Sequence, residues 1–147
     1  MMNETMLLKG KLSITLVDEK GALKEAHELD NLIVTAGKNY LAGGVLGTIS
    51  TPFVAMAIGT GVTAAAITDT TLQTELVRAA FTSSSTVNNV ATMSNIFGAG
   101  VGTGAITEAG LLSNAVSGGT LLSHIVFSVI NKGVLDTLTI TWTITVG

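Results

Sequence analysis

At the C-terminal end of the chain, Leu138, Ile140, Trp142, Ile144 and Val146 alternate without a break with Thr137, Thr139, Thr141, Thr143 and Thr145. A period of two places every apolar side chain on one face of a strand, whereas a helix would scatter the same residues around its axis. About ten residues of strand reach roughly 33 Å. The apolar face needs a second apolar layer to cover it, so this segment commits the chain to β packing. The threonine face suits water, cross-strand threonine pairs or a neighbouring subunit whose backbone accepts the hydroxyls.

The same period recurs upstream. Leu12, Ile14 and Leu16 alternate with Ser13, Thr15 and Val17, and Asp18-Glu19-Lys20-Gly21 then reads as a turn. Residues 22–29 return as the second strand of a hairpin, although their helix propensity is respectable too. Thr35 stands as an N-cap before one short helix near residues 35–47, in which Tyr40, Leu41 and Val45 share a face.

Residues 53–58 form an apolar run closed by Gly59-Thr60-Gly61. Asp69 to Gln73 is read as a capped turn feeding a strand through Glu75, Val77, Ala79 and Phe81, with Ser83-Ser84-Ser85 as a further turn. A strand over 87–97 precedes a loop set by Gly98, Gly100, Gly102 and Gly104. Residues 106–112 follow, and 121–130 is apolar on both faces, as a central strand is. Many short strands with one early helix predict an all-β fold, an antiparallel, jelly-roll-like β-sandwich. Residues 1–9 are read as an N-terminal arm and 10–147 as a single domain.

Composition narrows the function. Of 147 residues only 12% are charged, the net charge is −3, and there is no cysteine. An average soluble protein is about 25% charged, so much of this surface is expected to meet other protein chains. A chain of this length buries roughly two-thirds of its unfolded surface and needs no disulfide or metal to hold a core. Seven basic residues against ten acidic ones offer no counterion release from a phosphate backbone, which argues against nucleic acid. Mean hydropathy is +0.60, yet Gly, Thr, Ser and Asn break every apolar run well short of a membrane span. Glu4 stands where a signal peptide carries a base, so secretion by that route is not expected.

The search for chemistry yields no catalytic, cofactor-binding or metal-ligating residue. Gly100-Val101-Gly102-Thr103-Gly104-Ala105 fits the loose form of a dinucleotide loop, but no long helix and no ribose-binding acid follow. His27 and His124 lack zinc-like spacing, and His124 within an apolar strand reads as a hydrogen-bonded core or interface histidine. Glu108 is an acid that can meet it in space, but no second acid is apparent beside either, and no G-x-S-x-G elbow exposes a serine. Glu25, Glu28 and Asp30 stand among Lys20, Lys24 and His27 on what reads as a solvated hairpin. Trp142 and Tyr40 are read as packing residues, not a sugar platform.

Five short blocks follow one another in a suggestive order: NLIVTAG at 31–37, AIGTG at 57–61, DTTLQTELVR at 69–78, ITEAGLL at 106–112 and LTITWTI at 138–144. Together they resemble small virion structural proteins of tailed bacteriophages, a group that includes capsid decoration (cement) proteins and minor tail or fibre components. The resemblance implies a non-enzymatic β module present in many copies on the particle. It implies a homo-oligomer, a trimer at threefold points of a capsid lattice, with the major capsid protein as partner. The alternative it carries is a tail, baseplate or fibre-attachment adaptor that meets neighbouring tail proteins. The implied location is the virion, on the capsid exterior, after synthesis in the host cytoplasm. In the residues themselves, Gly59 and Gly61 turn the chain, Leu72 and Leu76 anchor a short turn, and the last strand closes the sheet.

Overall fold

The computed structural model describes residues 7–49 and 51–147. It contains β1 (Leu8–Val17), β2 (Leu23–Ile33), α1 (Thr35–Val45), β3 (Ala55–Gly59), β4 (Glu75–Ala80), β5 (Ser83–Val87), β6 (Val90–Phe97), β7 (Gly104–Leu112), β8 (Leu121–Lys132) and β9 (Thr137–Val146). The strands form one nine-stranded sheet in the order β4-β3-β7-β8-β2-β1-β9-β6-β5. Each neighbouring pair is antiparallel.

The sheet curls on itself because two stretches of chain change partners along their length. Most of β2 pairs with β1, and only Leu32 and Ile33 at its far end pair with β8. On the opposite side, β4 runs into β5 through Phe81 and Thr82 alone, so one nearly continuous stretch leaves β3 and joins β6. The buried Asn95 holds this corner. Its Oδ1 accepts the Thr82 N–H at 3.1 Å, and its Nδ2 donates to the Ala79 carbonyl at 3.1 Å.

Curling brings the two halves of the sheet face to face. Leu12, Ile14 and Leu16 of β1 and Leu138, Ile140, Trp142 and Ile144 of β9 share one core with Met56, Ile58, Ile106, Leu111 and Ile125 of the other half. The alternation of β9 holds from Thr137 to Thr145: Leu138, Ile140 and Trp142 are wholly buried and each threonine is half-buried on the outer face, while Val146 at the strand's end is exposed. Two of the hydroxyls on that face have protein partners, Thr141 pairing with Ser94 at 3.3 Å and Thr143 donating to the Lys11 carbonyl at 3.4 Å. β9 lies between β1 and β6, so it is an interior strand and not the one that closes the sheet.

The all-β architecture and the single helix match expectation, and β8 is an interior strand apolar on both faces at its start. Other readings need correction. Ser83-Ser84-Ser85 is not a turn but opens β5, and the reversal lies at Asn88, whose φ of 52° is left-handed, and Asn89. Serine is a weak strand former, and cross-strand pairing with β6 overrides that propensity. Thr35 is the first residue of α1 and not its cap; Val34 holds the N-cap position without a side-chain hydrogen bond. Leu76 is 45% exposed, which leaves Leu72 alone as the anchor of its turn. Residues 1–6 of the expected arm lie outside the described residues, while Leu8 and Lys9 belong to β1 and pair with Val146 and Thr145. Among the described residues, no helix is long and apolar enough to cross a membrane.

Candidate functional site

On the half of the sheet built from β3, β7 and β8, the face turned away from the core carries small residues. Ala57 lies opposite Gly110, and Gly59 opposite Glu108. This shallow face receives the loop of residues 60–74 that joins β3 to β4. Leu72 from the loop is buried there against Ala57, Leu112, Leu121 and Val34. A Cβ at Gly59 would overlap the Thr74 carbonyl oxygen, and one at Gly110 would stand 2.6 Å from Leu72 Cδ1. The glycines therefore set how closely the loop approaches.

Apolar contact through one leucine does not hold fifteen-odd residues of loop backbone, whose buried N–H groups need acceptors. The acceptor is Glu108, whose side chain is wholly buried. Glu108 Oε1 accepts the N–H groups of Gly61 at 3.1 Å and Thr74 at 2.7 Å. Its Oε2 accepts the Gln73 N–H at 3.0 Å and faces His124 Nε2 at 2.8 Å. The other ring nitrogen of His124, Nδ1, lies 2.7 Å from Asp69 Oδ2, and that oxygen also accepts the Ala66 N–H at 2.8 Å. Thr107 Oγ1 donates to the Gly61 carbonyl at 2.7 Å. One carboxylate thus ties both ends of the loop to β7, and the histidine of β8 joins it to an acid in the loop's middle.

Burial is the largest influence on Glu108 and opposes its ionisation. The hydrogen bonds from Thr74, Gln73, His124 and Gly61 outweigh it and hold the carboxyl below its ordinary range. Asp69 is likewise held low: burial again acts against ionisation, and the Ala66 N–H and His124 prevail. Ionised carboxylates only accept hydrogen bonds, so the His124 ring lies between two acceptors, one at each nitrogen.

This arrangement is chemically closed. His124 is 0% exposed and both of its nitrogens are engaged, leaving no atom to take a proton from a substrate. The two acids sit on opposite edges of the ring and do not converge on one point. Among the described residues, no group of three or more His, Cys, Asp or Glu side chains is placed to hold a metal ion. A groove of about 1030 Å³ between α1 and the ends of β1, β2 and β9 lies elsewhere, lined mainly by apolar residues such as Leu8, Ile33 and Leu41. Asp69, Glu108 and His124 do not line that groove.

The remaining candidates fall into structural places. His27 lies 3.2 Å from Glu25 on the half-exposed part of β2, and neither is a partner of His124. Gly100 to Gly102 make a connecting loop, with Gly104 opening β7. The Tyr40 hydroxyl donates to the Thr51 carbonyl. Glu108 and His124 meet, as was open from sequence, but the absence of a neighbouring acid is corrected by Asp69, which comes from 55 residues away. Arg78 and Lys132 had no sequence signal. Arg78 holds Glu75 and donates to the carbonyls of Asn114 and Gly118. Lys132 is buried, which lowers its pKa, and donates to the Gly98 carbonyl at 2.8 Å.

Compared with protein-family models, with curated proteins and with solved structures, the chain finds no match in any of the three.

Proposed function

We propose that this protein is a non-enzymatic virion structural protein that binds the outside of a phage capsid and stabilises it as a homo-oligomer in contact with the major capsid protein. The observation that carries the reading is where the blocks behind the resemblance converge. Gly61 of AIGTG, Asp69, Gln73 and Thr74 of DTTLQTELVR, and Glu108 of ITEAGLL all belong to the one buried network that fastens the 60–74 loop. The residues behind the resemblance thus serve rigidity, which suits a module whose task is to present surface.

Surface chemistry supports the same reading. Val45, Leu46, Val62 and Val116 are each at least 77% exposed on the loops and helix end. Apolar side chains presented on such elements contribute contact area when another chain covers them. The test uses particles with and without this protein. Particles lacking it are expected to release DNA at lower temperature and under milder osmotic shock, and tag-directed gold in electron microscopy is expected over the whole head. Unchanged particle stability, or label confined to the tail, overturns the capsid reading; tail label favours the adaptor.

A further inference from the structure

Among the described residues, β5 ends the sheet, with β6 along one side and no strand along the other. All of its residues, Ser83–Val87, are exposed. An open edge carries unpaired N–H and C=O groups and is a template for another strand unless charge, proline or a bulge blocks it. The other open stretches of this sheet are charged or broken: β8 beyond His124 pairs with β7 alone and is uncharged up to Lys132, but its register shifts there between Val126 and Ile130. β2, where it pairs with β1 alone, carries Lys24, Glu25, Glu28 and Asp30. β4, at the opposite end, carries Glu75 and Arg78. β5 carries none of these devices: it reads Ser-Ser-Ser-Thr-Val, and its pairing with β6 runs without a register shift.

Neutrality extends beyond the strand. No charged side chain occurs between Arg78 and Glu108, or after Asp136. Across the outer face, Ser83 is in register with Ser94 and then Thr141, and Ser85 with Thr92 and then Thr143. This corner of the molecule is an uncharged, hydroxyl-bearing sheet that ends in an open edge.

We propose that β5 pairs antiparallel with β5 of a second copy of this chain about a two-fold axis, so that the sheet continues from one chain into the next. A two-fold contact sets each segment against itself. At β2, with three acids and one lysine, each copy would meet its own negative excess on a chain already at −3. At β5, two neutral edges meet without desolvating an ion. A partner of opposite charge has nothing to recognise here, whereas the edge complements itself. The contact is two-fold and stands apart from the threefold association implied by the virion resemblance, so its failure leaves that reading untouched.

The test takes the full chain, which has no cysteine. Light scattering across a concentration series is expected to show a two-chain species. Ser85→Lys places like charges near the axis on an exposed residue and is expected to weaken association at least about tenfold, with the circular dichroism spectrum unchanged. In parallel, single cysteines at Ser83, Ser85 and Val87 are oxidised under mild conditions. The one nearest the axis is expected to give a covalent dimer in most of the protein, and a cysteine at exposed Thr63 is not. A one-chain mass at every concentration, a trimer, or a dimer that survives Ser85→Lys with no cross-link from β5 overturns the proposal.

Discussion

Replacing Glu108 by glutamine removes one acceptor oxygen and the charge while keeping the side chain's shape. In the native site each oxygen faces two donors: Gly61 and Thr74 at Oε1, Gln73 and His124 at Oε2. Whichever way the amide turns, its NH₂ group confronts two N–H donors in a site closed to water. Hydrogen bonds to a charged group contribute about 1.5–3 kcal/mol each, and breaking a buried charge pair from one side costs about 3–5 kcal/mol. We expect Glu108→Gln to destabilise the fold by about 4 kcal/mol, a large share of the roughly 5–15 kcal/mol that such domains possess. At about 2–4 °C per kcal/mol for a chain of this size, Tm falls by roughly 8–16 °C. Urea and thermal unfolding at pH 7, followed by circular dichroism, measure it. Glu28→Gln on exposed β2 is the control, expected within about 0.5 kcal/mol of wild type. A loss below about 1 kcal/mol for Glu108→Gln would refute the clamp, because it would mean the loop holds without its carboxylate.

Acid should act through the same groups. Glu108 and Asp69 are both held below their ordinary values in the folded state, so as pH falls the unfolded chain takes up protons first. Their contribution is complete above about pH 5 and lost as pH drops below about 4. Glu108→Gln should flatten that acid slope, and an unchanged slope contradicts the assignment. Gly59→Ala puts a methyl against the Thr74 carbonyl and is expected to cost about 1–3 kcal/mol, whereas Gly98→Ala meets nothing within 4 Å and should stay within about 0.5 kcal/mol or stabilise. Denaturant titration separates the two, and equal costs would count against close approach as the reason for Gly59. Asn95→Ala leaves the Thr82 N–H and Ala79 carbonyl of the β4–β5 corner without their side-chain partner; a loss of about 1–3 kcal/mol is expected in the same titration.

The strands were legible where packing follows a local period. In β1 and β9 the alternating Leu12, Ile14, Leu16, Leu138, Ile140, Trp142 and Ile144 meet the core and the hydroxyls between them face out, so alternation alone located them. β5 carries no such signal. Its serines and threonine are exposed on both faces, and only pairing with β6 makes them a strand. Sheet order was invisible for a related reason: β2 and the β4–β5 corner change partners through bends that depend on residues far along the chain, such as Asn95 against Thr82.

The site was half legible. Glu108 and His124 were visible as unusual polar residues in apolar runs, because a buried charge needs partners. Asp69 looked like an ordinary turn acid, and one of its roles is that: it accepts the Ala66 N–H. Its second role requires the loop to lie across β3, β7 and β8, which depends on the glycines at 59 and 110 and on Leu72. Local spacing holds no record of that tertiary approach.

The clamp is tested most directly by amide hydrogen exchange, residue by residue, in the wild-type protein and in Glu108→Gln. The amides of Gly61, Gln73 and Thr74 should exchange slowly in the wild type, close to the rates of strand amides, because each donates to a buried carboxylate. In the variant, under conditions where it remains folded, these amides should exchange at least about tenfold faster than the variant's own β9 amides, the signature of local and not global opening. Rapid exchange of all three in the wild type, or slow exchange that survives the loss of the carboxylate, would contradict the account.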